Sequence, residues 1–249
     1  MKITTSKPKM LRVMNTSLLG GLLSSSNIEV NISSMICYDK SLQTVISWAK
    51  FDGAYFDSFY CISSDAPTGS AKITVTESML KAMKSIQSSD IELSKNDGVF
   101  NIKGSSFKYS ESEQTSTGTS FSIDQEIMRP DAVEEKEILV SFDIDIEELR
   151  KLPSADKYTF VVSKNSFKVI TENVGTLEID LKFHSIANAP FSDYKKSFSG
   201  DIFEKIISNL DGKVHVEFGD KFLIISSVTP EVKLMFAQAS LVDSTTVTV

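Results

Sequence analysis

Few residues in this chain have the types and spacing that catalysis requires. The 249-residue sequence contains two histidines, His184 and His215, and both lie in strand-like surroundings. The sequence contains no HExxH, GxSxG or CxxC pattern, and Gly20-Gly21 lack the Gly-Lys-Ser/Thr of a phosphate-binding loop. These observations predict a protein that is not an enzyme and that uses no cofactor.

One group of carboxylates could in principle hold a metal ion. Asp143, Asp145, Glu147 and Glu148 occur within six residues of one another, but no octahedral set of oxygen ligands is evident. Acidic residues are also favoured in the first turn of a helix, where they interact with the helix dipole. We therefore interpret the group as the acidic start of a helix and predict no metal site.

The two cysteines, Cys37 and Cys61, both lie in apolar, strand-like segments. Two buried thiols in a reducing compartment fit this pattern, whereas a disulfide would require proximity that sequence cannot establish. No apolar stretch approaches the roughly 18 residues of a membrane span, and the start of the chain lacks the features of a signal peptide. We expect a cytoplasmic protein, in the host cytoplasm if its origin is viral.

Short strands dominate the hydrophobic pattern, as the alternation in 28–32, 178–181 and 214–218 indicates. A few short segments have helical periodicity instead. The predicted helices cover about 76–86, 145–152 and 200–210, with a weaker one beginning near Ser6. The predicted fold class is therefore α+β.

The three clear helices are each followed by a strand, a tight turn and a second strand. This recurrence indicates a duplicated module, two copies per domain. Residues 111–137 are rich in Ser, Thr, Glu and Gln, which fits a crossing connector or, alternatively, a disordered low-complexity segment. We predict an N-terminal domain over 1–117, a connector over 118–136 and a C-terminal domain over 137–249.

Charge is unevenly distributed along the chain. The net charge is −7, yet four basic residues and no acidic residue precede Glu29. Each predicted helix also has at least one cation opposite its apolar side, which could be an ordinary solvated surface or a shared basic face. The cations are Lys7, Lys9, Arg12, Lys81, Lys84, Arg150, Lys151 and Lys205. A shared basic face would attract duplex phosphates without reading bases, as a protein that slides on DNA requires.

Three segments carry a resemblance to a known family. Residues 76–84 resemble a helix with two basic residues three apart, residues 92–103 resemble the hairpin after it, and residues 198–242 resemble a last helix and closing strands. In this order they resemble the trimeric DNA sliding clamps, which include proliferating cell nuclear antigen (PCNA) and the clamps of tailed phages. The order of elements, rather than any sharp motif, carries the resemblance.

The resemblance implies two β-rich clamp domains per subunit, with helices lining a ring and sheets outside. It implies a trimer, homomeric or heteromeric, held by edge strands near 105–111 in one subunit and 174–182 in the next. The implied function is that of a processivity factor that encircles duplex DNA. Its implied partners are DNA polymerase, other replication proteins and an ATP-dependent clamp loader.

The resemblance also implies a hydrophobic pocket for partner peptides beneath the connector. The matching positions are Ile127, Met128, Phe222, Leu223, Phe236, Leu241 and Val242. Residues 235–239 lack the proline that cellular members carry in their C-terminal stretch, which favours a viral or divergent clamp. The alternative is that these side chains are simply core residues.

Two other function classes compete with the clamp. One is a β-rich structural or interaction protein without enzymatic activity, such as a virion component built from duplicated modules. The other is a hydrolase or metal enzyme whose site is dispersed along the sequence.

Overall fold

The structure is a computed structural model of the chain. It describes residues 1–39, 44–61, 71–96, 99–105, 108–112, 138–172, 176–188 and 194–241.

Short antiparallel strands and a few short helices make up the described part. The strands are β1 Lys2–Ser6, β2 Ser25–Val30, β3 Ser34–Asp39, β4 Val45–Asp52, β5 Ser58–Tyr60, β6 Ala71–Thr76, β7 Asp90–Asn96, β8 Val99–Lys103, β9 Lys108–Ser112, β10 Ile138–Asp145, β11 Lys157–Val162, β12 Phe167–Glu172, β13 Thr176–Leu181, β14 Ser185–Asn188, β15 Tyr194–Ser199, β16 Lys213–Gly219, β17 Phe222–Val228 and β18 Val232–Ala239. The α-helices are α1 Lys7–Ser17, α2 Glu77–Ser85, α3 Ile146–Leu149 and α4 Gly200–Ser208. This content confirms the α+β class predicted from the sequence.

The chain divides into two compact units. The first comprises Met1–Lys40, Ser47–Glu126 and Val228–Leu234, and the second comprises Ser41–Ile46, Ile127–Ser227 and Met235–Val249. The predicted connector, 118–136, lies outside the described residues. The domain boundaries expected from the sequence therefore stay predictions.

Strands are exchanged between the two modules of the first unit. The strand before α1, β1, lies in the order β5-β1-β7-β8-β9 with the strands that follow α2. The strand before α2, β6, lies in the order β6-β2-β3-β4 with the strands that follow α1. Each helix thus connects one sheet of the unit to the other.

The second unit has the same connectivity between its helices and sheets. Here β10, before α3, lies in the order β14-β10-β16-β17-β18, and β15, before α4, lies in the order β15-β11-β12-β13. Sequence analysis correctly predicted a recurring module of helix, strand, turn and strand. It missed the exchange, since the pairing partner of a strand is not encoded in its own alternation.

Local chemistry accounts for where the helices begin and end. The Thr76 side chain accepts a hydrogen bond from the Met79 amide at 3.2 Å, so Thr76 is the N-cap of α2. The third helix is shorter than the predicted 145–152. After Arg150 the amides of Lys151 and Leu152 bond three residues back rather than four, and Pro153 follows.

One strand assignment made from the alternation of 28–32 was too long. Strand β2 ends at Val30, and Ile32 is 69% exposed. The Asn31 side-chain oxygen accepts hydrogen bonds from the amides of Ser33 and Ser34, at 2.8 and 2.7 Å. This local turn ends the strand before the alternation does.

The cores of the two units differ in composition. The first unit packs methionines from both its helices, including Met10, Met14, Met79 and Met83, against aliphatic strand residues. The second unit contains a cluster of aromatic rings around the buried Phe142. The centroid of the Phe142 ring lies 4.8 Å from that of Phe167, 5.7 Å from that of Phe183 and 6.1 Å from that of Phe218. Both cores hold the helices against their sheets, which fixes the outer helix faces described next.

Candidate nucleic-acid interface

The cations of the first unit lie on two helices that pack against each other, α1 and α2. Lys7 begins α1, and its ammonium donates to the carbonyl oxygens of Lys84, at 2.8 Å, and of Ile86 at the end of α2. The last carbonyls of a helix have no partner within it and carry the negative end of its dipole. Lys7 therefore links the two helices through neutral acceptors and keeps its charge.

The two other basic residues of α1 are each partly covered. The Lys9 ammonium lies 3.0 Å from the Asp57 carboxylate and 5.6 Å from the centre of the Tyr55 ring. Arg12 is half-buried on the same helix. The paired carboxylate reduces what Lys9 can contribute to a basic face.

Lys81 and Lys84 project from the exposed side of α2, opposite the buried Met79 and Met83. Lys81 is 78% exposed and lies 3.6 Å from Glu77 one turn earlier, a surface pair of small energetic value. Among the described residues, the Lys84 ammonium has no carboxylate within 4.0 Å. These two lysines thus offer charge to an approaching anion.

The cations of the second unit face a different environment. The Arg150 guanidinium donates to Glu147 at 2.6 Å, to Asp211 at 3.3 Å and to the Leu210 carbonyl oxygen at 2.6 Å. Lys151 forms an ion pair with Glu148. Each of these cations is therefore balanced by at least one carboxylate.

Lys205 is half-buried on α4, next to Glu204. The Glu204 carboxylate accepts hydrogen bonds from the Tyr158 hydroxyl at 2.8 Å and from the Ala155 amide at 3.1 Å. Although burial opposes the shift, these bonds and the charge of Lys205 lower the pKa of Glu204. Glu204 is thus held as an anion beside the lysine.

The carboxylate group near α3 is engaged in ion pairs. Asp143 lies 2.9 Å from Lys213 and 2.8 Å from the Nδ1 of His215, and a hydrogen bond from His215, then one from Lys213, lowers its pKa. Asp145 lies 3.2 Å from the Nε2 of His184. Glu147 and Glu148 lie in the first turn of α3, as predicted, whereas Asp143 and Asp145 lie in strand β10 rather than in the helix.

Metal and thiol chemistry find little support in the described part of the chain. There, no group of three or more His, Cys, Asp or Glu side chains is placed to hold a metal ion.

Only one of the two cysteines is buried, although both were expected to be. Burial raises the pKa of the Cys37 thiol to about 12, whereas Cys61 is half-buried. No disulfide joins the two.

The predicted pocket residues fall into two classes. Leu223 and Phe236 are fully buried core residues, whereas Phe222 is half-buried and Leu241 is 39% exposed. The amide of Ser240 donates to the Lys221 carbonyl oxygen at 2.8 Å, which holds the end of the described chain beside the start of β17. Ile127, Met128 and Val242 lie outside the described residues.

Both strands expected to mediate assembly are edge strands of their sheets. Strand β9 ends the order β5-β1-β7-β8-β9, and β13 ends the order β15-β11-β12-β13. Leu177 on β13 is 50% exposed. An edge strand offers unpaired backbone donors and acceptors, so both strands can accept a further strand.

Sequence reasoning missed the acidic partners of the second unit's cations. The signal was present, since Glu147 and Glu148 precede Arg150 and Lys151 by three residues, a spacing at which helical side chains meet. The Arg150–Asp211 contact joins residues 61 apart in sequence, so no local pattern could have indicated it.

Comparison with solved structures gives full-length matches. The chain matches PCNA of A. fulgidus bound to the C-terminal region of FEN-1, with a TM-score of 0.73, 14% identity and coverage of 98% of this chain and 99% of that one. It matches PCNA of Thermococcus kodakaraensis with a TM-score of 0.73, 15% identity and coverage of 96% and 99%. PCNA of Entamoeba histolytica gives a TM-score of 0.72, 14% identity and coverage of 96% and 98%.

Sequence comparison is less informative. No family model and no curated protein sequence matches the chain. The structural neighbours are nevertheless PCNA sliding clamps over nearly their whole length, so the chain has the two-domain sliding-clamp fold. Within the described residues, no helix combines the length and apolarity needed to cross a membrane.

Proposed function

We propose that this chain is a DNA polymerase processivity factor. Copies of it close into a ring around duplex DNA, slide without reading sequence and tether polymerase and other replication proteins. The chain performs no catalysis of its own, and it acts in the cytoplasm. The observation that carries this proposal is the full-length match to PCNA clamps, supported by the same strand exchange in both units.

The ring forms by strand addition between subunits. Strand β9 of one copy pairs with β13 of the next, since both are edge strands and the exposed Leu177 lies on β13. A head-to-tail contact of this kind closes into a ring when the rotation per subunit divides a full turn. We infer a trimer, and the solved complex of PCNA2 with PCNA3 from Sulfolobus tokodaii is consistent with pairing between clamp subunits.

Duplex DNA is the ligand of the basic helix faces. Lys81 and Lys84 attract phosphate charge at long range and make no base-specific contact, which suits a protein that must move along the duplex. An ATP-dependent loader opens the ring, because duplex DNA without an end cannot enter a closed one.

Partner proteins bind beside the C-terminal stretch. The A. fulgidus clamp was solved with the C-terminal region of FEN-1, and peptides of replication proteins are the corresponding partners here. Phe222 and Leu241 supply the accessible apolar surface, while Leu223 and Phe236 support it from the core.

Electron microscopy with mass measurement tests the proposal. We expect a ring with a central hole of duplex width and the mass of three chains at micromolar concentration. A polymerase supplemented with the protein and its loader should extend longer products per binding event. A monomer that forms no ring even after loading would overturn the proposal and favour a β-rich structural protein instead.

A further inference from the structure

The helices of the two units carry opposite charge balances. In α1 and α2 there are five cations, Lys7, Lys9, Arg12, Lys81 and Lys84, and one acid, Glu77. Around α3 and in α4 there are three cations, Arg150, Lys151 and Lys205, and four acids, Glu147, Glu148, Asp201 and Glu204. The same fold element therefore has a different charge in each unit.

The contacts of the individual cations strengthen this contrast. Lys7 is bound by the carbonyl oxygens of Lys84 and Ile86, which are dipoles and leave its net charge intact. Among the described residues, neither Lys7 nor Lys84 has a carboxylate within 4.0 Å. Asp90, the acid nearest to the end of α2 in sequence, accepts a hydrogen bond from the Ser89 hydroxyl at 3.3 Å. Two uncancelled positive charges are thus held at one end of α2.

The two cations that follow α3 are neutralised locally. Arg150 faces both Glu147 and Asp211, and Lys151 faces Glu148. The field of a closely spaced ion pair falls off faster than that of a single charge. At physiological salt the screening length is about 8 Å, so a neutral pair contributes little attraction to a phosphate that is not in direct contact.

We propose that the DNA attraction of this protein resides in the first unit, at Lys7 and Lys84, and that Arg150 and Lys151 of the second unit contribute little attraction to the duplex. This inference rests on the proposed clamp function and specifies which half of each subunit holds the phosphates.

A matched pair of single substitutions tests the partition. Lys84→Gln removes an unpaired charge from the first unit, and Lys151→Gln removes an ion-paired charge from the second. Binding of each full-length protein to a fluorescent linear duplex is measured by anisotropy over a series of salt concentrations. The first variant should bind more weakly, with the slope of log K against log salt reduced by about 1. The second variant should resemble the wild type.

A variant that should gain affinity for the duplex provides an independent test. Glu147→Gln with Asp211→Asn removes both carboxylates from Arg150, and this variant should bind the duplex more tightly than the wild type. Unchanged affinity would overturn the claim that ion pairing silences the second unit. Equal losses in the two lysine variants, or a wild-type protein with no affinity for duplex at any salt concentration, would overturn the partition but leave the clamp in place. Absence of a ring in electron microscopy would remove the clamp function itself.

Discussion

The ammonium group of Lys7 lies 2.8 Å from the backbone carbonyl oxygen of Lys84, although 77 residues separate them in sequence. Lys7 is the first residue of α1, and Lys84 lies in the last turn of α2. The contact joins the two helices of the first unit at the point where the unpaired carbonyls of α2 emerge. A residue predicted only as a DNA-facing cation therefore also has a structural function.

Replacing Lys7 with methionine should destabilise the first unit. Lys7→Met keeps the apolar stem but removes the donor to the carbonyl oxygens of Lys84 and Ile86, which should cost about 1 kcal/mol. Urea unfolding followed by circular dichroism measures the change. Lys164→Met alters an exposed lysine in a turn and serves as the control. Equal unfolding midpoints for the two variants would contradict a capping role.

Helices α2 and α3 show which features could be predicted from the sequence and which could not. Both helices were predicted, because an apolar stripe and an N-cap or proline are local signals. The Lys7–Lys84 and Arg150–Asp211 contacts were not, since they join residues 77 and 61 apart. The sequence therefore predicted which residues form helices and which of them are cationic. Whether each cation keeps its charge depends on tertiary neighbours.

Blocking the edge of β13 should weaken self-association. Leu177 is 50% exposed on this edge strand, and a charged side chain there disfavours the addition of another strand. Leu177→Lys should shift the protein from trimer toward monomer in light scattering at micromolar concentration, with an unchanged circular dichroism spectrum. Ile32→Lys places a lysine at a 69% exposed residue in the turn between β2 and β3. Loss of the trimer in both variants, or in neither, would argue against the assigned edge.

Gly200 begins α4 at a point where no larger residue fits. A Cβ at this position would lie 1.6 Å from the Ala155 carbonyl oxygen, and the Gly200 amide also donates to the Asp156 carbonyl oxygen at 2.8 Å. Because the obstacle is backbone, Gly200→Ala should shift α4 and destabilise the second unit by about 2–3 kcal/mol in urea unfolding.

A second glycine gives the comparison for this prediction. At Gly104 a Cβ would meet the side chains of Ile86 and Ser88, at 2.8 and 3.0 Å. These side chains can move, so Gly104→Ala should cost less than Gly200→Ala. A larger loss of stability for Gly104→Ala than for Gly200→Ala would show that the backbone around Ala155 can move to accommodate a Cβ.

The contacts of His215 with Glu217 and Asp143 should make stability depend on pH. The carboxylate of Glu217, together with that of Asp143 at 2.8 Å, raises the pKa of His215 even though partial burial opposes the shift. A raised pKa means that the folded state holds the proton more tightly than the unfolded state. The stabilisation is therefore complete below the unfolded value of about 6.5 and is lost as pH rises through the raised pKa.

His215→Gln removes the proton-binding ring and should abolish this dependence. The variant should be less stable than the wild type at about pH 5.5, and the difference should shrink toward zero at about pH 9. We expect at most about 1 kcal/mol, since the His215 side chain is 41% exposed and solvent screens the pair. Urea midpoints across this range measure the difference, and His184→Gln tests a second, 53% exposed histidine that lies 3.2 Å from Asp145. A deficit for His215→Gln that stays constant with pH would mean that the ring stabilises the β10–β16 pair by packing rather than by charge.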